Sequence, residues 1–249
     1  DIQKRNGCLE ISADLISQPD DRVKITLEDA HGTLIRVKDY SPNEVQDGIR
    51  WDDLPVRLWW ANLEGDQPLY NLNCCLLNDN GATQDTVVRR VGFKHVEWQA
   101  CEGAPEGADP WVCVLNGKPI FLQGVNFSPM CANFADVRRE DYEKRLRIYR
   151  DLGLNLFRIN ACQFLERQDF YDLCDEYGLL VWQEFPLTSS GLDNWPPEDE
   201  TSIDQMEAIA RSFIERRQHH ASLLMWSCGN ELMGDMEGRK TGIGKPCDE

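Results

Sequence analysis

The first 97 residues alternate short runs of β-forming residues with turn residues. In the run RVKITLED, the apolar side chains of Val23, Ile25 and Leu27 recur at every second position, which is the period of a strand with one buried face. Residues 79–81, Asp-Asn-Gly, predict a hairpin turn because Asn and Gly tolerate positive φ. We therefore predict a β-sandwich over residues 1–97.

The pattern changes after residues 101–110, whose Gly, Pro and acidic residues predict a surface loop near a domain junction. Four apolar strand candidates then alternate with amphipathic helices, and they lie at 120–125, 155–159, 179–185 and 222–228. Such alternation is typical of a parallel sheet. Two domains are expected, a sandwich at 1–97 and an α/β domain at 98–249.

The ends of the three helices are also predicted by local residues. The first carries a stripe of Tyr142, Leu146, Tyr149 and Leu152 and is expected to stop at Gly153. The second is expected to stop at Gly178, and the third has Ser202 and Gln205 at capping-box spacing.

A parallel sheet of this kind is either an open layer or a closed barrel. Neither GxGxxG nor GxxxxGK[ST] occurs in the sequence, so the phosphate-binding signatures of open sheets are missing and the barrel is favoured. A complete (β/α)₈ TIM barrel needs about 250 residues. Residues 98–249 suffice for about strands 1–4, so we expect half a barrel. Its open edges predict association, for example as a homo-oligomer.

Composition excludes two classes of partner. Forty-three acidic residues against 26 basic ones give a net charge of -17, which disfavours nucleic acid and membrane surfaces. No apolar run approaches the length of a membrane span, and the first residues carry neither Met nor a signal-peptide pattern, so the start is expected to be internal. The localisation is left undetermined.

Ten cysteines are present, but none falls in a C-x-x-C pair. We expect ordinary core thiols, such as Cys113 and Cys174, and no metal site. The adjacent His219 and His220 are expected at a helix end with their rings pointing apart, which also disfavours a metal.

A polar residue follows or ends each strand candidate. Because active sites of barrels lie at the carboxyl ends of the strands, these side chains are expected to converge. They are Asn126, Arg158, Asn160, Gln183, Glu184, Asn230 and Glu231. Amide, guanidinium and carboxylate groups, with Trp182 and Trp226 as candidate walls, suit a neutral carbohydrate.

The segments around these residues resemble glycoside hydrolase family 2, in its β-mannosidase-like branch. The matching segments are LNGKPIFLQGVNFSP, GLNLFRI, ERQDFYDLCDEYGLLVWQEF and HHASLLMWSCGNE. The resemblance implies a jelly roll, an immunoglobulin-like sandwich and a TIM barrel in that order. Residues 1–97 would be the middle, immunoglobulin-like sandwich, and the jelly roll would be absent.

The resemblance also implies an activity, that of a retaining exo-β-glycosidase that hydrolyses O-glycosidic bonds. The enzyme would be β-mannosidase-like, with β-galactosidase or a related β-glycosidase as alternatives. No cofactor is implied.

The same resemblance assigns roles to residues. Glu231 would be the general acid/base, Asn230 would bind the sugar 2-hydroxyl, Arg158 would steady the nucleophile and Glu184 would contact sugar. Asn126, Asn160, Trp182 and Trp226 would line the substrate site. The nucleophile of this family belongs to strand seven, beyond Glu249, so the chain alone is expected to be inactive.

One departure leaves the sugar open. Mannosidases of this branch carry a Trp and three glycines after the strand-two Arg, whereas this sequence has Asn160, Ala161, Cys162 and Gln163. Two other functions are considered. A non-catalytic carbohydrate-binding or scaffold protein would bind sugar without hydrolysis, and a phosphate-using α/β enzyme would need a glycine-rich loop that is missing here.

Overall fold

A computed structural model describes residues 6–161, 165–188 and 199–230 of the chain. The chain divides into two compact units. The first unit is Asp1–Phe121 with His219–Ala221, and the second unit is Leu122–Gln218 with Ser222–Glu249.

The first unit is built from antiparallel sheets. Its described elements are β1 (Asn6–Ile11), β2 (Arg22–Asp29), β3 (Leu34–Tyr40), α1 (Pro42–Asp47), β4 (Ile49–Pro55), β5 (Tyr70–Leu77), β6 (Thr83–Val91), β7 (Val96–Gln99), β8 (Val112–Leu115) and β9 (Lys118–Ile120). The sheet orders are β1-β4, β3-β2-β5-β6 and β7-β8-β9. The first two sheets enclose one apolar cluster, which includes Trp51 and Leu54.

The predicted alternation in β2 is confirmed. Val23, Ile25 and Leu27 are buried in that cluster, because successive side chains of a strand point to opposite faces. The turn between β5 and β6 is also confirmed, with Gly81 at φ 78°. The side chain of Asn78 tightens this turn, since its Oδ1 accepts hydrogen bonds from the backbone N–H groups of Asn80 and Ala82.

The exposed loop at 101–110 joins β7 to β8, and the compact units divide after Phe121. The strand candidate at 120–125 is wrong in its bounds. Ile120 ends β9, where it pairs with Cys113 in an antiparallel hairpin, and a new strand starts at Gly124. The first residue of the apolar run thus belongs to the β8-β9 hairpin and not to the parallel sheet. The hydrophobic period of the sequence does not distinguish these two pairings.

The second unit is a parallel sheet covered by helices. Its described elements are β10 (Gly124–Phe127), a 3₁₀ helix (Phe134–Asp136), α2 (Arg139–Asp151), β11 (Leu156–Ile159), α3 (Gln168–Tyr177), β12 (Leu180–Glu184), α4 (Glu200–Arg217) and β13 (Leu223–Ser227). The four strands lie in the order β10-β11-β12-β13, and every neighbouring pair is parallel. This is the predicted β-α succession.

Aromatic rings fill the space between this sheet and the helices. Phe127 of β10, Phe157 of β11 and Phe170 of α3 form one group, with the rings of Phe127 and Phe170 4.9 Å apart. These side chains are fully or almost fully buried. The packed rings hold the strands in register under the helices, so the carboxyl ends of the strands form one edge.

Two of the predicted helix ends are confirmed, and one predicted start is wrong. Gly153 and Gly178 have φ angles of 84° and 73°, the left-handed region that glycine adopts without strain. The third helix, α4, begins earlier than predicted, because Asp199 is its N-cap and its Oδ1 accepts a hydrogen bond from the backbone N–H of Ser202. Ser202 lies within the first turn instead of capping it.

The predicted stripe on α2 is confirmed in part. Tyr142 and Leu146 are buried, whereas Leu152 is 66% exposed. Leu152 is the C-cap residue of α2, one position past the last helical residue. In the described part of the chain, no helix combines the length and apolar character that crossing a membrane requires.

Cysteine and histidine placements correct two expectations. Cys113 and Cys174 are buried as predicted, but Cys8, Cys101, Cys131 and Cys228 are exposed, so the expectation of core thiols is wrong for these four. The rings of His219 and His220 lie 4.1 Å apart and do not diverge. Both residues follow the C-cap of α4, so helical geometry does not set their directions.

Candidate functional site

The carboxyl ends of the four parallel strands converge on Arg158. In the sheet register, Arg158 of β11 lies between Asn126 of β10 and Trp182 of β12, so all three side chains share one face. The guanidinium binds side chains on both neighbouring strands. Nη1 lies 3.2 Å from Asn126 Oδ1, and Nε and Nη2 lie 2.8 and 2.5 Å from Glu184 Oε1.

Glu184 is the buried partner of this ion pair. Its side chain is 1% exposed, against 23% for Arg158. Its second oxygen, Oε2, accepts a hydrogen bond of 2.8 Å from the backbone N–H of Ala161. Burying a carboxylate is unfavourable unless its oxygens are paired, and here both oxygens have donors.

The strand end that carries Glu184 is held from the other face of the sheet. Gln183 points the opposite way, since side chains alternate along β12. The hydroxyl of Tyr171 in α3 donates to Gln183 Oε1 at 2.6 Å, and Gln183 Nε2 donates to the carbonyl of Glu184 at 2.8 Å. These bonds anchor the strand end to the helix layer.

Asn230, which follows the fourth strand β13, also contacts Arg158. Its backbone N–H donates to the carbonyl of Leu187 at 2.9 Å, and the residue forms a parallel bridge with Thr188. A Cβ at Gly229 would lie only 2.4 Å from the Leu187 oxygen, so this close approach requires glycine. The side-chain Oδ1 of Asn230 accepts from Arg158 Nη2 at 2.7 Å and from Asn160 Nδ2 at 3.1 Å.

The structure therefore brings together most of the predicted site residues. Five of them form one hydrogen-bonded group, which we call the Arg158 cluster: Asn126, Arg158, Asn160, Glu184 and Asn230. Trp182 lies beside it, with the Arg158 guanidinium carbon 5.2 Å from the centre of its ring. Glu231 follows Asn230 directly but lies outside the described residues.

Trp226 is not brought to this group. In the register of the sheet it pairs with Gln183, whose side chain points to the helices. Its ring stacks on Phe185 at 5.2 Å with an interplanar angle of 2°, and Phe185 also meets Phe213 of α4. The structure thus places Trp226 in the layer between the sheet and α4, and not beside the polar side chains where it was expected.

Two contributors to the site were missed in the sequence. The backbone N–H of Ala161 has no side-chain signal, so only the chain path after β11 reveals it. Gly229 was not singled out either. A glycine immediately before a strand-end Asn is a signal for close backbone approach, and it could have been found.

A second buried carboxylate lies in the same unit. Glu166 accepts a 2.5 Å hydrogen bond from the Tyr142 hydroxyl. Burial raises the pKa of Glu166, while hydrogen bonds from Tyr142 and from the backbone of Arg167 act against that rise. Arg217 Nη2 donates to the backbone carbonyl of Glu166 at 2.8 Å. These contacts tie α2, α4 and the loop before α3 together.

The Arg158 cluster has a definite chemical character. It combines one guanidinium, one carboxylate and several amides, so its charges nearly balance while hydrogen-bonding groups remain concentrated at one edge. Such an edge suits a polar, uncharged ligand with several hydroxyl groups.

Comparison with protein families matches both parts of the chain. Residues 110–241 match "Glycosyl hydrolases family 2, TIM barrel domain", and residues 9–94 match "Glycosyl hydrolases family 2". The first match includes the whole Arg158 cluster and Glu231.

Two curated relatives are similar over most of the chain. Beta-mannosidase A of Aspergillus clavatus is 30% identical over 189 residues, which are 73% of this chain and 20% of the relative. The mannosylglycoprotein endo-beta-mannosidase of Lilium longiflorum is 30% identical over 178 residues, which are 70% of this chain and 18% of the relative. The chain thus spans about a fifth of the length of these proteins.

Solved structures share the fold. The β-D-mannosidase of Dictyoglomus thermophilum superposes with a TM-score of 0.75 at 23% identity, over 96% of this chain and 32% of that one. The β-glucuronidase of Parabacteroides merdae superposes with a TM-score of 0.73 at 21% identity, over 93% and 28% of the two chains. The predicted fold class, a sandwich followed by part of a TIM barrel, is confirmed.

Proposed function

The chain belongs to glycoside hydrolase family 2, and we propose that the whole protein is a retaining exo-β-glycosidase acting on O-glycosidic bonds. The observation that supports this most is the Arg158 cluster, in which polar side chains from the ends of separate strands meet at one edge. Asn230 belongs to that cluster and directly precedes Glu231 in the sequence, which supports Glu231 as the candidate acid/base.

We assign the general acid/base role to Glu231. In the first step of a retaining mechanism it would protonate the departing glycosidic oxygen while a second carboxylate, about 5 to 5.5 Å away, attacks the anomeric carbon. A glycosyl ester forms, and the glycosidic C–O bond breaks. Glu231 would then take a proton from the water that hydrolyses the ester, which regenerates both carboxyl groups. The family resemblance assigns the second carboxylate to the seventh strand of the barrel.

Arg158 would stabilise negative charge at this edge. Its guanidinium carries only hydrogen-bond donors and stays charged, so it favours the ionised form of any carboxylate beside it. Glu184 holds Arg158 in place through Nε and Nη2. The amide groups of Asn126 and Asn230 would contact sugar hydroxyl groups.

β-Mannosides are the first substrates to test, since both curated relatives above are named as mannosidases. Asn160 stands where the mannosidase branch carries a Trp, so β-galactosides and other β-glycosides belong in the same panel. Trp182 is the aromatic side chain that would support the sugar from beside Arg158.

The test is hydrolysis of aryl β-glycosides by the full-length protein and by Glu231→Gln. We expect kcat on a substrate with a poor leaving group to fall by about 10² to 10⁴, because general acid assistance is lost. With a strongly activated leaving group the first step should suffer much less. Glu215→Gln, on the exposed face of α4, is the matched control and should retain full activity.

Other outcomes would redirect the assignment. Sugar binding without turnover by the full-length wild type would support a carbohydrate-binding or scaffold protein. Turnover that Glu231→Gln leaves intact for poor leaving groups would refute the role of Glu231. Release of a product with inverted anomeric configuration, observed by NMR, would refute retention.

A further inference from the structure

Asn230 is held by contacts with two side chains. Its Oδ1 accepts two hydrogen bonds, from Arg158 Nη2 at 2.7 Å and from Asn160 Nδ2 at 3.1 Å. The residue is 9% exposed. Among the described residues, none accepts a hydrogen bond from the other end of this amide, Nδ2.

The two donors determine which way the amide faces. The oxygen and nitrogen of an Asn side chain have nearly the same shape, so a rotation of 180° exchanges acceptor and donor. Arg158 carries only donors, so it requires the oxygen of Asn230 on its side. Asn160 adds a second donor to the same oxygen, and a rotation of Asn230 would then forfeit two hydrogen bonds instead of one.

We propose that Asn160 is a positioning residue, which with Arg158 holds the Asn230 amide so that its NH₂ group faces the substrate. The site thereby selects β-glycosides in which one particular ring hydroxyl accepts a hydrogen bond from Asn230 Nδ2. This inference rests on the proposed glycosidase function. Asn160 acts through Asn230, which lies 70 positions away in the sequence.

The Asn160 side chain supplies a hydrogen-bond donor, and a substitution can replace this donor by an acceptor with little change in shape. Asn160→Asp replaces the donor by an acceptor, which would attract Asn230 Nδ2 and turn Oδ1 towards the substrate. Asn160→Leu removes the donor without adding charge, so Arg158 alone would hold the amide. The first variant should therefore impair recognition more than the second.

The experiment measures kcat/KM of the full-length protein on an aryl β-glycoside and on analogues that lack one ring hydroxyl at a time. On the parent substrate we expect about a tenfold loss for Asn160→Leu and a larger loss for Asn160→Asp, since a substrate hydroxyl loses its donor. For one analogue, the one without the hydroxyl that Asn230 contacts, wild type and variants should agree within about twofold. The other analogues should show the full loss.

Controls separate this effect from general damage. Asn80→Asp, in the exposed turn of the first unit, adds the same charge and should change no substrate preference. Thermal unfolding reports whether each variant folds, and Asn160→Ala replaces any variant that does not. An equal loss on every analogue, or no loss on the parent, would overturn the positioning role of Asn160.

A binding measurement distinguishes failure of this inference from failure of the proposed function. Absence of hydrolysis by the wild type refutes the glycosidase assignment alone. Calorimetric titration with the corresponding methyl β-glycosides then tests Asn160 without turnover. The same selective insensitivity of one deoxy analogue supports the inference, and affinities that fall in parallel for all analogues contradict it.

Discussion

The two units of this chain bury polar groups in different ways. In the first unit, Asn116 accepts from the backbone of His95 and donates to that of Trp59. Asp21 accepts from the backbone of Gln18 and from the side chain of the exposed Gln84. In the described part of the second unit, buried polar side chains bind one another as well. Its buried polar residues are Asn155, Glu166, Asp175, Gln183, Glu184, Arg217, Ser222 and Asn230.

This difference separates buried polar groups that the fold requires from those that it does not require. Asn116 and Asp21 satisfy backbone groups that any compact β-fold must satisfy. The Arg158–Glu184 pair bonds mostly to other side chains at the strand ends. An apolar pair of similar volume would often make the fold as stable or more so. We therefore infer that ligand chemistry is the reason for its presence.

The largest effect is expected from Arg158→Met. Removing the guanidinium leaves Glu184 buried without its charge partner, which should destabilise the protein by about 3 to 5 kcal/mol. Activity should fall by at least about 10³, because Asn126, Glu184 and Asn230 all lose their common donor. Urea unfolding and kcat/KM measure the two losses.

Arg57→Met is the matched control for this prediction. Arg57 Nη2 lies 2.5 Å from Asp66 Oδ2, the same distance as in the Arg158–Glu184 pair, but its side chain is 70% exposed. Since water screens exposed ion pairs, no resolvable change in the free energy of unfolding is expected. If both variants lost a similar free energy of unfolding, the proposed difference between the buried and the exposed ion pair would be refuted.

The next effect concerns the apolar core of the first unit. Leu27→Ala, at a fully buried position, should lower the free energy of unfolding by about 2 to 5 kcal/mol through lost contacts and a cavity. Activity per folded molecule should stay at the wild-type level, because Leu27 belongs to the sandwich cluster. Leu34→Ala, half exposed on the neighbouring strand β3, should have little effect on either quantity. Loss of specific activity in Leu27→Ala would contradict this separation.

The smallest effect is a dependence of stability on pH. Burial raises the pKa of Glu166 in the folded state, so folding favours its protonated form. This contribution is fully present below the unfolded pKa of about 4.5 and is lost as pH rises through the higher folded pKa. Glu166→Gln should gain stability relative to wild type across that window, as measured by urea unfolding at a series of pH values.

Tyr142→Phe sharpens this prediction. The Tyr142 hydroxyl donates to Glu166 and opposes the rise of its pKa, so removing it should extend the window to higher pH. A constant difference in unfolding free energy between wild type and Glu166→Gln at every pH would refute the titration of Glu166.

Local pattern determined much of this protein. Residues close together in the sequence predict the alternation in β2 and the glycines that end α2 and α3. The same local patterns predict the succession of strands and helices in the second unit. The polar residues at strand ends were also readable, because parallel strands must bring their carboxyl ends to one edge. Arg158, Glu184 and Asn230 meet for that reason.

Only the tertiary structure decided how those residues meet. Trp226 points to the helices because the register between β12 and β13 shifts, and a register is set by long-range pairing instead of local period. The contact of Asn160 with Asn230, and that of the Ala161 N–H with Glu184, depend on where the chain runs after β11. Hydrogen-bond direction in this group follows from donors brought together across 70 positions of sequence, which no local pattern encodes.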